Sequence, residues 1–93
     1  MTVGVLHLDL HLPGGHSLKE KRSVLKRLKD QLRNRFNISV AEVGDQDLWQ
    51  RAGVGIAAVG SDRKYVDGQL ATVVDWVRES RLVDIIDYEV ELL

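Results

Sequence analysis

The chain has 93 residues, a length typical of one domain, and we expect a single domain over residues 1–93. It contains no cysteine, which excludes disulfides and thiolate metal sites, and no apolar run approaches the roughly 18 residues of a membrane span. The net charge of −1 excludes attraction of nucleic acid by the field of the whole molecule, and we expect a cytoplasmic protein.

The first half of the chain predicts a strand, a helix and a second strand. Leucines alternate with other residues over 3–12, which is the period of a half-buried strand. Ser17 and Glu20 form an S-x-x-E capping box, so a helix should begin at about Leu18. The apolar residues of that helix are spaced 7, 3, 4 and 4 and share one face: Leu18, Leu25, Leu28, Leu32 and Phe36. A strand over 38–43 and a polar loop over 44–50 follow.

The second half repeats this order, with a strand over 52–60, a helix of about 62–80 and a strand over 82–92. The sequence β-α-β-β-α-β predicts an α+β, ferredoxin-like sandwich. We expect a four-stranded antiparallel sheet of order 4-1-3-2. Because crossover connections are right-handed, both helices should cover one face of the sheet.

The charge is strongly segregated along the chain. Residues 17–36 hold eight Lys or Arg and two acids, a net of +6, so the remainder carries −7. Five of these cations recur at spacings of 3 and 4 and form a basic ridge about 21 Å long on the first helix: Lys19, Arg22, Lys26, Lys29 and Arg33. Such a ridge suits a phosphate backbone or an acidic partner. The alternative is a solvated helix face whose charges pair with the acidic remainder.

Three aromatic residues are candidate partner contacts. Trp49 lies in the polar loop, where it is expected to close one end of the core or to anchor a partner. Tyr65 and Trp76 lie on one flank of the second helix, and Trp76 is either a residue at the edge of the core or part of a contact surface.

The face of the sheet away from the helices offers a second set of candidates. His7 and Asp9 would face it together with carboxylates of the last strand (Asp87, Glu89 and Glu91), and cross-strand pairing is favoured over a metal site there. Four apolar residues are expected to form a patch on the same face, suited to a homodimer: Val3, Val5, Val83 and Ile85. The central strands offer no aromatic residues, which argues against the base stacking of RNA-recognition modules.

No pattern of catalytic residues stands out. There is no serine–histidine–aspartate arrangement and no paired-carboxylate pattern with a positioned base. An acylphosphatase-like enzyme of this fold would need an arginine in the turn before the first helix, and residues 13–17 contain none. We therefore expect a non-enzymatic protein without catalytic residues, bound metal or cofactor.

Three sequence segments resemble those of a known family. Ser17-Leu18-Lys19-Glu20-Lys21-Arg22, together with residues 36–43 and 46–52, is similar to the signatures of the bacterial YlxP-like family. The resemblance covers essentially the whole chain, and Gly44 departs from it where acidic residues are common. It implies a ferredoxin-like fold and no established activity, cofactor or site residue. The family's genes often lie among genes of translation factors and ribosome maturation, which hints at RNA.

The leading hypothesis is therefore a small protein that binds RNA or a ribosomal component through the basic ridge. The alternative is a protein-interaction or dimerisation module that uses the open sheet face or the Trp76 flank.

Overall fold

The computed structural model describes residues 1–14 and 16–93. Its elements are, in chain order, β1 (Thr2–His11), α1 (Leu18–Arg35), β2 (Ser39–Gly44), β3 (Arg51–Gly60), α2 (Arg63–Ser80) and β4 (Asp84–Leu92). The strands form one antiparallel sheet of order β2-β3-β1-β4, which is the predicted order 4-1-3-2 in reverse. The predicted βαββαβ arrangement is confirmed.

The core lies between one face of the sheet and the two helices. Alternate residues of β1 (Leu6, Leu8 and Leu10) are fully buried on this face. The helices contribute one apolar stripe each, Leu25, Leu28 and Leu32 from α1 and Val66, Leu70, Val73, Val74 and Val77 from α2. α2 packs on β1, β3 and β4, while α1 packs on β2. Within the described residues, neither helix combines the length and the apolar character that crossing a bilayer would require.

The start of α1 follows the predicted capping pattern with one change. The side chain of Ser17 accepts a hydrogen bond from the backbone N–H of Glu20 at 3.1 Å. The Glu20 carboxylate in turn accepts from the N–H of His16 at 2.9 Å, one residue before the cap. Both contacts satisfy N–H groups that have no partner inside the helix, and they fix the first turn of α1.

The predicted apolar patch on the open sheet face is wrong in two of its four members. Val83 is buried in the core, and Ile85 is half-buried against it. The reason is an irregularity between Asp9 and Leu10, after which Ile85 pairs with Leu10. A one-residue shift of register exchanges the faces of a strand, so the alternation assumed from Asp87 onward does not extend back to Ile85.

Gly68 and Gly4 have opposite surroundings, so alanine at the two positions should change the stability of the protein in opposite directions. Gly68 lies within α2 and nothing stands within 4 Å of an added Cβ, so Gly68→Ala should stabilise the protein by about 0.5–1 kcal/mol. Gly4 is the contrast, since an added Cβ would lie 2.6 Å from Val66 Cγ1, and Gly4→Ala should cost about 1–3 kcal/mol. Thermal unfolding of both variants measures these effects. A Gly68→Ala variant less stable than the parent would contradict the prediction.

Candidate nucleic-acid interface

The basic ridge runs along α1 from its first turn to its last. Lys19, Arg22, Lys26 and Arg33 are exposed, and Lys29 is half-buried. At the end of the ridge the Arg33 guanidinium reaches β2, where Nη2 donates a hydrogen bond of 2.8 Å to the carbonyl oxygen of Val40. This contact directs the last cation of the ridge toward the edge strand β2 and occupies one of its donors.

Asp30 partly neutralises the middle of the ridge. Lys26 Nζ lies 2.9 Å from Asp30 Oδ2, and Arg33 Nη1 lies 3.9 Å from Oδ1. The hydrogen bond from Lys26 lowers the pKa of the Asp30 carboxyl, so this group stays ionised at neutral pH and holds Lys26. Lys19 and Arg22 make no ion pair within 4 Å in the part of the chain that the structure describes. The N-terminal half of the ridge therefore offers the freest charges.

Lys21 lies beside the ridge in sequence and is buried in the structure. Only 1% of its side chain is exposed. Nζ donates hydrogen bonds of 2.6 Å to the carbonyl oxygens of Asp45 and Leu48, and Glu42 Oε2 lies 2.9 Å away. The Glu42 contact is ionic in character, since Oε2 receives no well-directed hydrogen bond from the described residues. Three oxygens thus surround the ammonium group and replace its hydration.

These bonds hold the loop between β2 and β3, residues 45–50, which we call the Trp49 loop. Asp45 adopts a left-handed conformation with φ 59°, and the N–H of Leu48 donates to its carbonyl oxygen at 3.0 Å. The carbonyl oxygen of Gln50 accepts from the N–H of Leu12 at 2.9 Å. The loop is therefore fixed to the start of α1 through Lys21 and to the chain after β1 through Gln50.

The Trp49 loop presents large apolar side chains to solvent. Trp49 is 42% exposed and Leu48 47% exposed. The prediction that Trp49 closes one end of the core is therefore wrong, because the buried core is complete without it. The indole ring lies next to the imidazole of His16, with 6.3 Å between the ring centres. Trp49 thus stands at the N-terminal end of α1, the end where the ridge begins.

The other two predicted aromatic contacts lie on α2. Trp76 is half-buried against the core, and the Arg35 guanidinium stands 5.6 Å from the centre of its ring. Tyr65 is exposed and lines a groove of about 620 Å³ between the end of α1 and the start of α2, with Arg35 and Lys64. The cation over Trp76 covers part of the flank that was predicted to contact a partner.

On the open sheet face, acidic residues of β4 stand opposite β1. His7 lies opposite Glu89 and Asp9 opposite Asp87 in the backbone register, but no ion pair within 4 Å links them among the described residues. The cross-strand contact of histidine with carboxylate is made by His11, whose Nδ1 lies 3.2 Å from Asp84 Oδ2, while Asp9 binds Arg51, with Nη2 3.0 Å from Oδ2. A shallow depression of about 500 Å³ lies among His7, Asp9, Asp87 and Glu89. Across residues 1–14 and 16–93, no three histidine or carboxylate side chains converge in a geometry that could hold a metal ion.

Comparison with known proteins places the chain in a family. A family model described as "Protein of unknown function (DUF503)" matches residues 3–90. The chain belongs to this family. It is 49% identical over 75 residues to the "Uncharacterized protein YlxP" of Bacillus subtilis (strain 168), and the match covers 81% of this chain and 82% of that protein. The resemblance to YlxP-like proteins is confirmed. Neither description states an activity, a ligand or a partner.

The sequence did not lead us to predict that Lys21 is buried and holds the Trp49 loop. The predicted apolar face of α1 has a spacing of seven between Leu18 and Leu25. A continuous helical face requires a member three or four residues after Leu18, and Lys21 occupies that position. The gap was the available signal that one lysine of the basic segment points into the core margin.

Proposed function

We propose that this protein is non-enzymatic and binds RNA, free or within a ribosomal subunit, through the basic ridge of α1. The observation that carries the proposal is the one-sided charge of the molecule. The ridge lies on the helical side of the sheet, and Lys19 and Arg22 are exposed there without ion pairs among the described residues. A row of cations at helical spacing suits the repeating phosphates of a nucleic-acid backbone.

The acidic part of the molecule supports an orientation for this binding. Asp87, Glu89 and Glu91 alternate with the residues of β4 that face the helices, so they lie on the open face of the sheet. Phosphates are repelled from that face and attracted to the opposite one. Because the total charge is only −1, attraction is confined to the ridge, which limits binding to arbitrary polyanions.

Salt dependence of RNA binding tests the proposal directly. If five phosphates are engaged, a log–log plot of affinity against salt should have a slope no steeper than about −4.5 for a duplex or about −3.5 for a single strand. The ion pair of Lys26 should make the slope shallower. Fluorescence anisotropy with labelled RNA measures the slope, and co-sedimentation with ribosomal subunits at low and high salt shows whether the ribosome is the target. An affinity that does not change with salt would contradict the proposal.

A second candidate function is dimerisation through the open sheet face. Val3 lies opposite Val59, which is 58% exposed, and Val5 lies opposite Ala57. Val3 and Val5 are the two members of the predicted patch that stay on this face, since Val83 and Ile85 turn toward the core. Apolar contact strengthens or stays constant as salt rises, whereas phosphate contact weakens. The same salt series, followed by light scattering without RNA, therefore distinguishes the two candidates.

A further inference from the structure

We propose that Trp49 is a stacking platform for one unpaired RNA base, held in place by Lys21 at the end of α1 where the basic ridge begins. This inference rests on the proposed function, since the ridge would bind the phosphates of the same strand. It adds a preference for unpaired nucleotides, which a row of cations alone does not provide.

The Trp49 loop is held firmly against α1. Lys21 uses its ammonium group inside the protein, on the carbonyl oxygens of Asp45 and Leu48, both at 2.6 Å. A lysine seldom gives up its hydration unless such partners replace it. The residue before Trp49 is thus bonded directly to a buried anchor. A fixed ring binds a base with less loss of conformational entropy than a ring on a mobile loop.

The indole ring of Trp49 is also exposed. Trp49 and the neighbouring Leu48 are each nearly half exposed, although the loop that carries them is held against the protein. Large apolar side chains that remain exposed on a well-held loop contribute little to folding and are available for contact. A purine or pyrimidine ring covers such a surface by stacking.

The charge around the Trp49 ring favours a nucleic-acid base over a protein side chain as the group that contacts it. Lys19 and Arg22 lie on the first turns of α1, and His16 stands beside the indole. The loop itself carries Asp45 and Asp47, which repel phosphate. The backbone of a bound strand is therefore drawn to the helix, and the part that meets the loop is the uncharged base.

The test compares single-stranded decaadenylate with a blunt-ended RNA duplex in which every base is paired. Trp49→Leu should weaken binding of decaadenylate by about tenfold, since stacking on one aromatic ring contributes this order of affinity. Trp49→Phe should restore most of the loss. Binding of the duplex should not change. Tyr88→Leu removes an aromatic ring of similar exposure on β4, at the edge of the sheet opposite to β2 and α1, and this matched control should leave both affinities unchanged.

Fluorescence gives a second readout that leaves Trp49 in place. The chain has two tryptophans, so in Trp76→Phe the emission comes from Trp49 alone. Decaadenylate should quench this emission with the same midpoint as the anisotropy titration. Circular dichroism confirms that each variant is folded.

The outcomes separate this inference from the proposed function. Unchanged affinity of Trp49→Leu for decaadenylate, in a protein whose binding depends on salt, would overturn the stacking platform and leave the ridge proposal intact. Equal weakening for decaadenylate and the duplex would also overturn it, since stacking requires an unpaired base. If the unmodified protein binds neither RNA, the proposed function fails and this inference fails with it.

Discussion

Lys21→Met should lower the free energy of unfolding by about 3 kcal/mol, the largest effect we expect from a single substitution. Removal of one partner from a buried ion pair typically costs about 3–5 kcal/mol, because the remaining charge is left without compensation. The lower end applies here, since the Glu42 side chain is 21% exposed and can be partly hydrated. Methionine is similar in length and apolar, so it fills the space of the lysine stem without replacing its bonds.

The loss has two sources that a double variant separates. One is the unpaired Glu42 carboxylate, and the other is the loss of the lysine as donor to the carbonyl oxygens of Asp45 and Leu48, of which Asp45 keeps the N–H of Leu48. Lys21→Met with Glu42→Gln removes the first source and retains the second. It should recover about half of the loss, with a coupling energy that a double-mutant cycle measures.

Urea unfolding followed by circular dichroism measures these changes. A domain of this size commonly has a stability of about 5–15 kcal/mol, so Lys21→Met should still fold. Lys19→Met is the control, because Lys19 lies two positions earlier on the exposed side of α1 and should change stability by no more than about 0.5 kcal/mol. If the two variants are equally stable, Lys21 does not anchor the loop.

The sequence was sufficient for the topology, because each element carries its own periodicity. The leucines of β1 alternate, and the apolar residues of α1 and α2 recur at helical spacing. These local patterns leave few ways to bury the apolar faces, and the preference for right-handed crossovers selects one of them. The N-terminal cap of α1 was equally local and therefore equally predictable from Ser17 and Glu20.

What the sequence could not supply depends on contacts between distant residues. The pairing of Ile85 with Leu10 follows from an irregularity in the ladder between β1 and β4, which no pattern within β4 reveals. Lys21 is buried only because the Trp49 loop returns to the start of α1 and offers two carbonyl oxygens. The exposure of Trp49 has the same origin. The prediction that Trp49 closes the core assumed that a large aromatic ring is buried. The loop that carries it is held instead by hydrogen bonds to its backbone carbonyl oxygens.

Neutralisation of the basic ridge should remove most of the affinity for RNA. Replacement of its five residues by glutamine changes the net charge from −1 to −6. We expect at least a hundredfold loss of affinity at low salt, with a salt slope near zero, because counterion release is the main source of affinity for a phosphate backbone. Glutamine has a helix propensity close to that of lysine and arginine, so α1 should be retained. Anisotropy titration at several salt concentrations measures both quantities.

Arg33 differs from the other four residues of the ridge because it also stabilises the fold. Its hydrogen bond to the carbonyl oxygen of Val40 links α1 to β2, and its loss should cost about 1 kcal/mol of stability. A variant with glutamine at only the other four positions (Lys19, Arg22, Lys26 and Lys29) keeps this bond. This fourfold variant should still lose most of the RNA affinity. It therefore tests the ridge even if the fivefold variant folds poorly.

The matched control carries the same change of charge at four cations away from the ridge: Arg63, Lys64, Arg78 and Arg81. Both fourfold variants have the same net charge, so a difference between them reports the position of the charges and not their sum. If RNA binding is local to the ridge, the control should keep its affinity within a few fold and its salt slope should be unchanged. Equal losses in the two variants would show that RNA responds only to the total charge, and the ridge would then be a solvated helix face.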